Sequence, residues 1–328
     1  MNRLLLQSKG LQAVALVLAG SMTLLMLPGD ARACSSCGCT FNSDWSSQGY
    51  SVASGLRLDV REDYYDQNQL RSGTRSVARN SLEIPNEQEV QQRTLNRNTI
   101  AALDYSPSRL WGMRVEVPYF NRFHTTIAEG DDEISTAHSS SVGDIRLTAR
   151  YQGFSPDLSW GVQAGLKLPT GATDGQFKSG PQIGEQLDRG LQPGTGTTDV
   201  LFGVYNFGNL GAHVGYYAQA LVQQPMNTHE GFKPGTGLNL NVGLRYLHAG
   251  NVVPQLQLNV RIEGRETGTS ADHDNSGATF AYLSPGVTVA LSSHIQAFTF
   301  LQVPVYQRVN GLQLQPGRFF SMGMQYSF

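Results

Sequence analysis

The sequence predicts an all-β fold, a transmembrane antiparallel β-barrel of about 12 strands with short periplasmic turns and long extracellular loops. Three observations predict it. From Gly55 onward the chain falls into segments of roughly ten to fifteen residues with alternating polarity, the period of a strand with two unlike faces. The connections between them alternate short and long. The chain ends on "FFSMGMQYSF", where Phe320, Met322, Met324, Tyr326 and Phe328 share one face and Ser321, Gly323, Gln325 and Ser327 the other.

Residues 1–33 read as a signal peptide. Arg3 and Lys9 form a charged start, "LQAVALVLAGSMTLLMLPG" is an apolar run, and "ARA" ahead of Cys34 is a small-residue cleavage site. Acylation of Cys34 is disfavoured, because Ala31 stands where a large aliphatic residue is wanted and Arg32 intrudes. This divides the chain into the leader, a Cys-containing periplasmic segment at 34–54 and a barrel at 55–328. The full chain carries 24 basic and 26 acidic residues. Cleavage removes Arg3, Lys9, Arg32 and Asp30, leaving 21 against 25, a balance too mild for nucleic acid. No remaining apolar run approaches the ~20 residues of a spanning helix. A barrel does not need one, since only alternate residues face lipid.

In order, the expected strands are 55–65, 94–105, 109–120, 143–152, 159–169, 198–208, 212–222, 237–247, 254–264, 278–291, 294–306 and 319–328. A further hairpin from the first loop or the N-terminal segment would make about 14. Tight turns are expected at "SPS" (106–108), "SPDL" (155–158), "GNLG" (208–211), "AGN" (249–251) and "SSH" (292–294). Longer polar loops are expected at 71–92, 129–140, 171–195, 224–236, 265–277 and 309–317. An even strand number puts both termini on one side, the periplasmic one for an exported chain of a Gram-negative outer membrane.

The two faces of each strand assign the charges. Ile145, Leu147, Ala149 and Tyr151 oppose Asp144, Arg146, Thr148 and Arg150, and Leu256, Leu258, Val260 and Ile262 oppose Gln257, Asn259, Arg261 and Glu263. A charge at mid-depth on the lipid face costs about 2–4 kcal/mol, so the charged rows belong to the lumen. Arg57, Arg61, Asp144, Arg146, Arg150, Lys167, Arg245, Arg261 and Glu263 are therefore the lumen candidates, with Asp59 and Asp63 alternating among them on the first strand. They either select solutes through a transverse field or fill the bore as ion pairs. Arginine supplies 20 of the basic residues and lysine 4, and guanidinium suits both roles. Tyr65, Tyr105, Trp111, Tyr119, Trp160 and Tyr246 lie near strand ends, as girdle aromatics do. An aromatic at Tyr326 with a terminal Phe328 resembles the C-terminal signal by which the barrel-assembly machinery recognises outer-membrane barrels. The expected surroundings are outer-membrane lipid and lipopolysaccharide.

The glycine-rich loop 171–196 either folds into the barrel, with Phe177, Lys178, Asp188 and Arg189 at a constriction, or stays exposed and mobile. "EGDDE" (129–133) and "ADHDN" (271–275) are acidic tips, able to take a divalent cation or simply solvated. Cys34, Cys37 and Cys39 are the only cysteines. Their spacing admits a disulfide with one thiol over, a Cu(I) or Zn site, or contact with a partner or lipid; no other cofactor is expected. No enzyme is expected either. His138, Ser139 and Ser140 adjoin in a loop and His213 and His248 sit at turns, but none pairs nucleophile with base on neighbouring outward strand positions.

Several stretches resemble a family of outer-membrane proteins named for the meta-pathway of phenol degradation and described as transporters. The residues are "VPY" (117–119), "GDIRLTARY" (143–151), "GLKLPTG" (165–171) and "PGTGTTDVLFGVYN" (193–206), within a match running from about Arg93 to Phe328. "CSSCGC" belongs to none of these motifs. The resemblance implies an outer-membrane channel passing small, aromatic or apolar solutes by passive or gated diffusion. The alternative is a barrel that anchors a Cys-rich segment for soft metal or a partner protein.

Overall fold

The computed structural model describes Gln48 and residues 54–248 and 250–328; the leader and Cys34, Cys37 and Cys39 lie outside the described residues. Twelve wall strands close into one antiparallel barrel. They are β1 (Gly55–Gly73), β2 (Val90–Ser106), β3 (Trp111–Ile127), β4 (Ile134–Val142, then Ile145–Tyr151 after a break), β5 (Trp160–Leu168), β6 (Asp199–Leu210), β7 (Val214–Pro225), β8 (Gly237–Tyr246), β9 (Val252–Glu263) and β10 (Ala278–Ala290). The extended stretch Ile295–Ser327 supplies both β11 and β12. Its first part pairs with β10 from Gln296 to Val309, and its second pairs with β1 from Leu312 to Ser327, which closes the wall.

The outward face is apolar and half-exposed: Trp111 and Met113 on β3, Phe202 on β6, Leu244 on β8 and Met322 and Met324 on β12 all belong to it. The inward face is polar and buried. That inversion of the usual globular arrangement is what a barrel in lipid requires, because the ladder satisfies the backbone and the outward side chains meet hydrocarbon. Tyr105, Trp111, Tyr119, Trp160 and Tyr246 point outward with 41–53% of their surface exposed. Tyr65 does not. It is 1% exposed and points inward, while its neighbour Tyr64 takes the outward place at 40%. In "YY" either residue could hold the girdle position, and the phase set by Asp63 and Gln67 decides it.

Two of the expected long loops are short. Residues 134–142 continue β4, so the connection after β3 spans only 128–133; residues 309–317 lie within the β11–β12 hairpin, turned over at Gly311 with φ of +55°. The upper part of β4 reads "ISTAHSSSV" and carries little apolar alternation, which hides it as a strand.

The wall is not equally tall all round. β5 stops at Leu168, opposite Ile145, so Ile134–Val142 pairs with β3 on one side and, among the described residues, with no strand on the other. From Lys167 the strand tops follow one line of register, through Asp199 and Pro225, then Gly237, Glu263, Ala278 and Val309. On β1 to β4 the line continues through Gly73, Val90 and Ile127 to Ile134. Barrel strands tilt by about 35–45°. The rim is therefore a ramp, lowest at β5 and highest at β4, with one abrupt step between those two. Residues 169–198 fill the step: Lys178 N donates to Thr136 O at 2.8 Å, Thr136 N to Ser179 O at 2.9 Å, and Gln182 N to Ser135 Oγ at 3.1 Å.

Candidate functional site: the lumen and the loop over its mouth

All nine charged lumen candidates face inward. Eight are buried, between 3% and 7% exposed; Arg146 keeps 40% of its side-chain surface open. Six of them, Arg57, Arg61, Asp144, Arg146, Arg150 and Lys167, assemble in tiers along β1 to β6. Nearest the turn end, Asp104 receives Arg57 at 2.9 Å and Arg150 at 2.8 Å, with Ser106 Oγ accepting from Arg150 at 2.7 Å. Above them Arg114 reaches Asp59 at 3.5 Å and Glu116 at 3.7 Å, Arg146 approaches Glu116 at 3.9 Å, and Arg61 pairs with Asp63 at 3.0 Å. At the loop end Lys167 lies 3.0 Å from Asp144 and 3.2 Å from Asp199.

The opposite arc is amide-rich. Asn241 donates to Gln219 at 3.4 Å, Asn259 to Asn241 at 2.8 Å, and Ser284 to Asn259 at 2.6 Å, a chain of hydrogen bonds around β7 to β10. Arg245, on β8, and the Arg261–Glu263 pair at 2.8 Å interrupt it. Between the arcs stand rings. Tyr65, Phe280, Tyr282 and Phe319 form one buried cluster, with Tyr65 and Phe319 centroids 4.4 Å apart and Tyr282 and Phe319 5.1 Å apart. The lumen is thus packed by its own side chains, as intermediate barrels allow.

Sequence reasoning passed over Asp104, Arg114, Glu116 and Asp199, which complete these tiers. On β2 and β3 the outward face also carries polar residues, Arg97, Thr99 and Asn121 among them, so the alternation that exposes a lumen row is blurred. The amide arc gives no charge signal at all; only its phase on β7 to β10 marks it.

The loop 169–198 turns inward rather than out. Phe177, Leu187 and Leu191 are each 4% exposed and pack on Ala137 of β4. Arg122 of β3 donates to Leu191 O at 2.5 Å. Of the four expected constriction residues, Phe177 is buried near His124, with centroids 6.3 Å apart, while Lys178 is exposed. Arg189 pairs across to Glu230 of the loop 226–236 at 2.5 Å. Asp188 stands beside Glu89. The charge of Glu89 first, then desolvation and the charge of Asp272, hold the Asp188 carboxyl well above the usual carboxylate range, and desolvation raises Glu89 as well. Glu89 lies 3.9 Å from Nε2 of His124. Among the described residues no group of three or more Asp, Glu, His or Cys is arranged to hold a metal. The acidic tips are spent locally: Asp131 accepts from Asp132 N, and Asp274, 88% exposed, lies 3.4 Å from Arg265.

No family model and no curated relative matches the chain. Among solved structures it is similar to an outer membrane channel from Pseudomonas putida F1, at 13% identity and a TM-score of 0.56, covering 84% of this chain and 96% of that one. The fold is that of an outer-membrane barrel. Further similar structures are the monoaromatic hydrocarbon channel CymD (8% identity, 88% and 94% covered, TM-score 0.43) and the toluene transporter TbuX of Ralstonia pickettii (9% identity, 84% and 90% covered, TM-score 0.44). A closed barrel with an apolar outer belt points to the outer membrane of a Gram-negative bacterium.

Proposed function

We propose that this protein is an outer-membrane channel for small aromatic or apolar solutes. The observation that carries the reading is the inverted barrel itself. Its interior holds ionic tiers, an amide arc and a ring cluster in place of an aliphatic core, and a loop is packed into one mouth. Rings such as Tyr65, Tyr282 and Phe319 offer stacking faces to an aromatic solute, and the charged tiers of β1 to β6 set the field it crosses. Passage is gated, because the inward side chains are buried and the loop 169–198 must shift for a solute to pass. In this reading both termini are periplasmic and the loops face outward.

The test is flux through the refolded full chain in liposomes, comparing a small sugar, a benzoate-like anion and an apolar aromatic. Aromatic flux faster than sugar flux supports the proposal, and equal flux of all three makes the pore unselective. No flux of any solute removes the channel reading. Replacing Cys34, Cys37 and Cys39 by Ser leaves the flux unchanged if the barrel alone conducts.

A further inference from the structure

Strands β3 to β10 place no Asp, Glu, Lys or Arg on the outward face of the wall; their charged residues all point into the lumen. The four neighbouring strands β11, β12, β1 and β2 differ. Arg308, Arg318, Glu62, Asp66, Arg93 and Arg97 point outward there, beside Tyr64 and Phe320 at the loop-side edge of the apolar belt. The pairing brings them together. Tyr64 stands opposite Arg97 on β2 and opposite Phe320 on β12, and the next pair up joins Asp66 to Leu95. Arg97 holds its guanidinium 5.8 Å from the Tyr64 ring centroid. Arg93 spends its charge on Asp66 through two contacts of 2.8 and 2.9 Å, and Glu62 accepts from Thr99 at 2.5 Å. Arg97 and Arg318 have no carboxylate partner among the described residues.

A guanidinium inside the hydrocarbon costs about 2–4 kcal/mol, falling to about 0–1 near the interface, so these two arginines mark the boundary of the belt. At that boundary the chemistry that answers an exposed guanidinium fork is a phosphate, held by charge-assisted, bidentate hydrogen bonds. Height alone does not explain the patch. β3 and β4 rise higher, yet their outward upper faces carry Asn121, Thr125, Thr136, His138 and Ser140, which are polar and bear no permanent charge. We infer that the outward face of β12, β1 and β2, built on Arg97, Arg318 and Tyr64, binds the phosphorylated headgroup of an outer-leaflet glycolipid. This rests on the loops facing outward and not on what the lumen passes.

The experiment uses the refolded full chain in detergent, with lipid A bearing both phosphates and the same lipid dephosphorylated, and reads retained lipid by native mass spectrometry. The wild type is expected to retain the phosphorylated lipid in preference, and R97Q/R318Q to lose about tenfold of that retention, with R97K/R318K intermediate. R109Q, at a turn on the other rim, keeps full retention. Equal retention of the two lipids by the wild type, or unchanged retention in R97Q/R318Q, overturns the inference. Heat-modifiable mobility checks folding; should the double variant not fold, R318Q alone carries the test, and its retention must fall at least about threefold.

Discussion

At the scale of single residues, Asp104 and Leu158 make opposite predictions. Asp104 takes guanidinium contacts from both Arg57 and Arg150, and all three side chains are at most 7% exposed. Removing one member of a buried ion network strands the others in a low-dielectric interior, at about 3–5 kcal/mol. Asp104→Ala is therefore expected to lower the unfolding free energy by about 3 kcal/mol, read by urea titration of the barrel in vesicles. An unchanged midpoint would show that the two arginines find water instead. Leu158 closes the turn before β5 with φ of +57°, a left-handed conformation that costs a branched residue roughly 1–2 kcal/mol. Leu158→Gly relieves that strain and is expected to raise stability by about 1 kcal/mol by the same titration. Asp188 gives a prediction in pH. Its carboxyl, raised by Glu89, faces His124 from β3 and Asp272 from the loop 264–277, with Arg122 close behind. A raised acid binds its proton more tightly in the docked loop than in the free one. Docking of the loop 169–198 is then favoured at low pH and weakened as pH rises through the Asp188 pKa, where two carboxylates face each other. Hydrogen exchange across residues 175–192 should speed up over that rise, and Asp188→Asn should flatten the profile.

At the scale of elements, what the sequence made legible depended on lipid. Wherever a strand crosses the belt, its outward row is forced to be apolar and its inward row polar, and β5, β6, β8, β9 and β10 stand within a residue or two of their expected ranges. Above the belt that force ends. The upper half of β4 leaves the belt and meets the apolar cluster of the loop through one small residue, Ala137, so its sequence carries no period and reads as a loop. The candidate lumen residues were legible for the same reason as the strands, by phase. Their partners were not, because which carboxylate meets which arginine depends on tilt and register, as when Arg146 of β4 comes within 3.4 Å of Gln223 of β7. The inward turn of the loop 169–198 was legible only as an alternative. Phe177, Leu187 and Leu191 are too sparse in a glycine-rich run to announce a packed cluster.

At the scale of the whole molecule, the ramped rim makes the loop 169–198 structural as well as a cover. It is the edge partner of Ile134–Val142, and an uncovered strand edge is a template for another chain. Deleting residues 176–186 is expected to leave the barrel folded and to turn a monomeric preparation into dimers, seen by light scattering after size-exclusion chromatography in detergent. A deletion variant that stays as monodisperse as the parent would mean that the remaining loop still shields the edge.

The same ramp gives this end of the barrel two unlike sides. β3 and β4 stand like the back of a chair, and residues 169–198 lie like a cushion against it over the low side at β5. In the proposed channel a solute that reaches this end from the β3 side meets wall, and one from the β5 side meets a loop. Entry to such a channel is a matter of direction as well as concentration.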